Sequence, residues 1–291
     1  MAIIPRFVNA LALLLFGLAS SFAFAGEVHR LGPDLYAYIS SNDSSANSTF
    51  LVSDAGILVV DTGLNEVEGK KLLAEIRKIS PAPVRWIVNT HYHPDHRGGN
   101  LVFGRDATII STPFTRDHVL HGPEPAPAQL TFALNVTVKT DLALFVGTHR
   151  VEIYHPGPAH TMGDLVVYFP DQKTLATGDL FLTNSCPAMD QGDMENWIKA
   201  LDSMLALPVD HVVPGHFELA GSTELRRFHD YLNDLGTQVR EMRSKGMSLE
   251  QVKKSISLTQ YLTFRQFPQY EATFADNAEA YYKQLAAGAT Q

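Results

Sequence analysis

The 291-residue chain contains one cysteine, Cys186, so no internal disulfide can form and the fold must rest on its core and on any bound metal. Cys186 lies in Thr183-Asn184-Ser185-Cys186-Pro187 with no histidine beside it, which reads as a small incidental residue rather than a nucleophile. Cations are also scarce. Lys and Arg number 23 against 31 Asp and Glu, a net charge of -8, and no basic stripe or polybasic helix face occurs. That balance argues against a phosphate-backbone binder and against a membrane-surface role. Past the first 25 residues, no run is apolar enough to span a bilayer. What remains is room for one substantial α/β domain, or such a domain with a small helical appendage.

The first 25 residues differ from the rest. Arg6 precedes the apolar run Ala10–Ala19, and Ala23-Phe24-Ala25 supplies small residues at -3 and -1 from a predicted cleavage before Gly26. The run is too short for an anchor and ends in a cleavage site, so residues 1–25 read as a secretory signal peptide. The mature protein is then expected in the periplasm or secreted, with no stable membrane insertion.

Strands and helices follow in two series. Val28–Ile39 reads as two short strands around Gly32-Pro33-Asp34, and Ser40–Ser48 as a polar, turn-rich loop. Thr49–Val52 and Ile57–Val60 are strands joined at Asp54-Ala55-Gly56. Apolar residues at Val67, Leu72, Leu73, Ile76 and Ile79 predict a helix over Glu66–Ile79, stopped by Pro81 and Pro83. Val84–Val88 is a buried strand that leads to His91. Asn100–Phe103 fits a short helix, Ala107–Ile110 a strand, and Pro113–Val136 an irregular surface excursion. Val146–Tyr154, Leu165–Phe169, Thr174–Ala176 and Val209–Val213 read as strands, and Met194–Leu207 as a helix. Helices over Thr223–Lys245, Leu249–Ile256 and Tyr270–Ala286 end the chain. The order predicts a layered α/β domain over residues 26–221 and a helical C-terminal extension over 222–291 packed on it.

One stretch stands apart: Thr90-His91-Tyr92-His93-Pro94-Asp95-His96-Arg97-Gly98-Gly99-Asn100. A chance match to H-x-H-x-D-H in this composition is on the order of one in a thousand, which sets the cluster apart from an ordinary polar loop. On an extended segment His91 and His93 point to the same side and can grip one cation. Pro94 then bends the chain so that Asp95 and His96 face a neighbouring position, while Gly98 and Gly99 allow tight curvature and close packing beneath. His160, Asp179 and His216 lie in comparable settings, each at a strand-to-loop junction bounded by glycine or proline. His29, His118, His121, His149, His155, His211 and His229 have no ligand-like context.

Taken together, Asp61-Thr62-Gly63, His91-x-His93-x-Asp95-His96, Gly157-x-x-His160-Thr161-x-Gly163-Asp164, Gly178-Asp179 and Gly215-His216 resemble the metallo-β-lactamase superfamily over about Val28 to Ala220. The resemblance implies a four-layer αββα sandwich with a metal site along one edge of its facing sheets. It assigns His91, His93 and His160 to one metal, Asp95, His96 and His216 to a second, and Asp179 to a bridge between them. Oxygen and imidazole donors suit zinc, two ions per chain, with iron or manganese left open. Asp61 either orients ligands or is a strand-end turn carboxylate. The implied reaction is hydrolysis: a hydroxide shared by two zinc ions attacks a carbonyl of an ester, thioester, lactone or amide, and Asp95 or a metal-bound water handles the proton.

Departures from particular patterns sort the family's reaction classes. Flavodiiron oxidoreductases resemble H-x-E-x-D, but position 93 here is histidine. The best-known β-lactamase subclass has a cysteine ligand where this chain has Asp179, and its substrate-binding lysine has no counterpart in Leu180 to Ser185. Asp179 thus favours a general hydrolase of the glyoxalase II or lactonase type over a dedicated β-lactamase, though the tail shows no basic glutathione pocket, and nuclease relatives need electropositive surfaces that this acidic chain lacks. A β-lactamase, a mononuclear-iron persulfide dioxygenase and a non-enzymatic periplasmic metal-binding protein remain as alternatives. The expected partner is a small-molecule substrate and not nucleic acid; the oligomeric state is open. Substrate choice is expected in Ser40–Ser48, Pro113–Asn135 and Thr183–Asp193. Phe114, Phe132 and Phe181 are wall candidates whose ordinary role would be core packing. Tyr261, Phe264, Phe267, Tyr270 and Phe274 either cover the site or pack the tail down.

Overall fold

The computed structural model describes residues 26–288 except 105, 124–133 and 135; the leader expected over 1–25, Phe132 and the centre of the 113–136 excursion lie outside the described residues. Two sheets face each other. The first has strands β1 (Glu27–Arg30), β2 (Leu35–Ile39), β3 (Ser48–Ser53), β4 (Gly56–Val60), β5 (Val84–Val88), β6 (Thr108–Ser111) and β7 (Val136–Thr137), hydrogen-bonded in that order. The second runs β12 (His211–Val213), β11 (Thr174–Ala176), β10 (Val166–Phe169), β9 (His149–Tyr154), β8 (Asp141–Val146). β1 to β4 form an antiparallel meander, and β4 to β7 pair in parallel. In the second sheet only the β11–β12 pair is parallel.

Strand parity explains the layering. In β4, Leu58 and Val60 join the core between the sheets, while Ile57 and Val59 face the opposite way. In β10, Val167 and Phe169 face inward and Val166 and Tyr168 outward. Sheets apolar on both faces need a helical layer outside each. On the first sheet that layer is α1 (Glu66–Ile79), through Leu72 and Ile76, with Val119 of α3 (Pro113–His121). On the second it is α4 (Met194–Leu205) with α5 (Ser222–Ser244), α6 (Leu249–Ser255) and α7 (Phe274–Gly288), which share one apolar cluster. The fold is thus a four-layer αββα sandwich whose helical C-terminal region belongs to its outer layer.

Two elements differ from the sequence expectation. Residues 113–121 form helix α3 rather than an irregular excursion. Its pattern is weak because it buries only Thr115 and Val119; Pro113 at the first turn and the Thr112 hydroxyl, which accepts from Thr115 N–H (3.1 Å), start it instead. The single strand expected over Val146–Tyr154 is a hairpin, β8 and β9, turning at Gly147 with φ 63°. β8 lies at the sheet edge and leaves Phe145 exposed, which hid it from a burial-based reading.

Trp197 of α4 ties the outer layer to the site edge: it is fully buried and its indole N–H donates to Leu180 O at 2.9 Å. Trp197→Ala should lower unfolding free energy by about 3–5 kcal/mol in urea titration; a change below about 1 kcal/mol would contradict this packing.

Candidate metal centre

Strand ends deliver the site. Val60 pairs with Val88 and Ala176 with Val213, each pair in parallel. His91, Asp179 and His216 each follow their strand's last residue by three positions, and Asp61 follows β4 directly. Carboxyl ends of parallel strands point their loops the same way, so residues distant in sequence meet at one edge. Pro94 opens a single helical turn, α2 (Pro94–Arg97), which carries Asp95 and His96 back toward the strand ends. Of the two roles expected of the paired glycines, tight curvature and close packing, only the second holds: Gly98 and Gly99 have ordinary negative φ of -63° and -84°. Their requirement is space. A Cβ on Gly98 would stand 1.8 Å from Leu64 O, and one on Gly99 2.2 Å from Thr62 O.

Two ligand groups form among the described residues, each with donor atoms within 4.8 Å of one another: His91, His93, His160 and Asp179, and Asp95, His96, Asp179 and His216. In the first, His93 Nδ1 lies 2.9 Å from His91 Nε2 and 3.2 Å from His160 Nε2. Bonds of about 2.0–2.1 Å to a tetrahedral ion would set such nitrogens about 3.3 Å apart, so a cation fits between them. In the second, Asp95 Oδ2 is 3.0 Å from His216 Nε2 and 3.3 Å from His96 Nε2. Asp179 belongs to both: Oδ2 is 3.5 Å from His160 Nε2, and Oδ1 is 3.1 Å from His96 Nε2. His96 Nε2 and Asp179 Oδ1 are buried and make no hydrogen bond, as atoms reserved for a cation do. No thiolate takes part, because Cys186 is buried in the outer cluster and burial pushes its thiol up to about 12.

Four of the five outer ring nitrogens are held by protein partners, while the fifth, His160 Nδ1, is buried without a hydrogen-bond partner. Asp61 accepts from Thr90 N–H (2.8 Å) and Thr90 Oγ1 (2.7 Å), and its Oδ2 holds His96 Nδ1 at 2.7 Å. Of its two readings, Asp61 therefore takes the orienting one, and it does so from a left-handed backbone with φ 54°. Thr90 Oγ1 meets His91 Nδ1 at 3.1 Å, and His216 Nδ1 meets Asp43 O at 3.1 Å. These bonds leave each Nε2 for the centre. His93 is reversed, with Nε2 on Gln191 Oε1 at 3.0 Å and Nδ1 inward.

A family model described as the metallo-beta-lactamase superfamily matches residues 42–216, more than half the chain and all seven side chains above. The chain belongs to the metallo-β-lactamase superfamily. As a member it is a metal-dependent hydrolase with a His/Asp metal site and a small-molecule substrate. A metallo-beta-lactamase type 2 from Elizabethkingia meningoseptica is 28% identical over 237 residues, covering 76% of this chain and 92% of that protein. A linear primary-alkylsulfatase from Pseudomonas sp. (strain ATCC 19151) is 23% identical over 259 residues, covering 71% of this chain and 49% of the relative. Among solved structures, a metallo-β-lactamase from Pontibacter korlensis superposes with TM-score 0.62 at 24% identity over 72% of this chain and 99% of its own. A stereoselective inverting sec-alkylsulfatase from Pseudomonas sp. reaches TM-score 0.70 at 19% identity over 89% of this chain and 50% of its own. The chain thus spans about half the length of these alkylsulfatases.

Electrostatics separates the two groups of this superfamily member. Burial, aided by neighbouring imidazoles, holds His91 well below its ordinary value, and burial brings His160 down to about 4, so both rings are neutral donors at neutral pH. Burial would also lower His96 and His216, but the Asp179 and Asp95 carboxylates outweigh it and raise both. Asp95 and Asp179 show the converse: burial alone would raise them, yet the nearby imidazoles hold both well below the carboxylate range. A cation entering this second group displaces those protons.

Of the wall candidates, Phe181 is core, and Phe114 of α3 meets His118 and Tyr92 beside the first group. Tyr261 and Phe264 pack the tail down, and Tyr270 is exposed. Asp61→Ala should weaken metal binding by roughly 10–100-fold through the loss of His96 orientation. Zinc affinity measured by chelator competition checks this, and wild-type affinity in the variant would refute the orienting role.

Proposed function

We propose that the protein is an exported hydrolase that holds two zinc ions and cleaves carbonyl substrates, namely esters, thioesters, lactones or amides. The observation that carries this reading is the Asp179 carboxylate, with one oxygen toward each ligand group. His91, His93 and His160 would hold one ion, and Asp95, His96 and His216 the other. When bound, two such cations supply a hydroxide nucleophile at neutral pH and stabilise charge developing on the carbonyl oxygen.

The chain's own residues do the rest. Asp61, Thr90, Gln191 and the Asp43 carbonyl fix the ring orientations, so little reorganisation is needed during the reaction. Asp95 is the more open of the two carboxylates, with 23% of its side chain exposed against 11% for Asp179, and takes the role of holding and passing the proton. Residues 1–25 direct export, with the mature chain starting at Gly26. Among the described residues, no helix is long and apolar enough to cross a membrane.

A second reading, β-lactam hydrolysis, is favoured by the Elizabethkingia relative, which aligns over 92% of its length. Against it stands Asp179 in place of a cysteine ligand, with no lysine in Leu180 to Ser185. Metal analysis with a panel of thioesters, lactones, β-lactams, phosphodiesters and alkyl sulfates separates these. The expected result is two zinc per chain, carbonyl turnover, and loss of the first metal together with activity in His160→Ala. Fast nitrocefin turnover would select the second reading, and one iron with oxygen uptake on persulfide would overturn both. Asp95→Asn that keeps both metals and full turnover would remove the proton-handling role.

A further inference from the structure

The loop carrying His216 is strained just where it leaves the centre. Phe217 has φ 71°, the left-handed region that a bulky side chain avoids. Asn47, in the loop just before β3, secures this turn. Its N–H donates to Gly215 O (2.8 Å), and its side-chain amide donates to Pro214 O (3.1 Å) and Phe217 O (2.8 Å). The Phe217 ring, in turn, is gripped by a segment far downstream. Arg265 sets its guanidinium carbon 4.5 Å from the ring centroid, and Phe267 stacks on the ring at 5.7 Å with planes 3° apart.

That grip is anchored. Arg265 N–H donates to Asn184 O (2.8 Å), and Arg265 O accepts from Cys186 N–H (2.9 Å). Its guanidinium donates to Thr183 O (3.1 Å) and pairs with Glu218. The strap over residues 265–267 therefore binds the loop that follows Asp179 to the residues that follow His216. Stacking and cation–π contacts of this kind are strong enough to offset a single left-handed residue.

We propose that Arg265 and Phe267 are positioning residues for His216. By holding Phe217 left-handed, they keep the imidazole where it completes the second ligand group, and so set the affinity for the second cation. The inference rests on the two-cation reading above. Without the strap, Phe217 would relax toward negative φ and swing the peptide after His216, so the ligand group would have to be rebuilt at each binding event.

Zinc titration of metal-free full-length protein by calorimetry tests this, with metal-free thermal unfolding of the same samples alongside. In Phe267→Ala the second ion should bind roughly tenfold more weakly and the first within about twofold of wild type, while Phe267→Tyr restores the stack and the affinity. Should Phe267→Ala fail to fold, Phe217→Gly serves instead, because glycine adopts this backbone without strain. In that background Arg265→Ala should cause no further loss at the second ion, and a further tenfold loss would contradict the proposal. Unchanged second-ion affinity in Phe267→Ala, or equal weakening of both ions, would overturn the strap alone. A wild-type protein that saturates with one ion would overturn the two-cation reading and the strap with it.

Discussion

The site turns on the electrostatics of one almost wholly buried carboxylate, that of Asp179. A lone carboxylate at this depth would be neutral, because desolvation disfavours its charge. Here the His96 and His216 imidazoles, whose proton affinity is raised, lie beside it and hold it ionised. The dependence is mutual, since His96 and His216 keep raised proton affinity only while Asp179 and Asp95 stay charged. Such an arrangement leaves no tolerance for misplacement. A Cβ on Gly215 would stand 2.0 Å from Asp179 Oδ1, so only glycine lets the His216 loop cross over the carboxylate.

Because Asp179 and His216 come from the second sheet and His91 to His96 from the first, the centre exists only while both sheets keep their relative placement. The core between them, from Leu58 and Val60 on one side to Val167 and Ala176 on the other, sets that placement. Each outer helical layer then reaches the site edge through a specific contact. Gly69 of α1 lies against Gly99, and Trp197 of α4 bonds the carbonyl next to Asp179. The C-terminal region is part of this support. α5 to α7 share their apolar cluster with α4, and the segment between α6 and α7 touches the loops after Asp179 and His216.

Much of this was legible in the chain. His91, His93, Asp95 and His96 announce themselves by spacing, and His160, Asp179 and His216 by glycine or proline at strand ends, because backbone turns at a sheet edge need those residues. Contacts between remote positions were not legible. Asn47 reads as one more polar residue of a turn-rich loop, yet it is buried and holds the His216 turn through residues about 170 positions away. Phe217 and Phe267 carry no pattern that pairs them. Helix α3 escaped because two buried residues make no period, and of the two roles expected for the paired glycines, curvature and close packing, only close packing holds.

If one carboxylate joins two cations, anomalous diffraction from zinc-loaded crystals will locate both ions beside it. Two peaks are expected, about 3.5–4 Å apart, one against His91, His93 and His160 and the other against Asp95, His96 and His216, with Asp179 between them. A single peak, or two peaks with Asp179 bound to neither or to one alone, would contradict it.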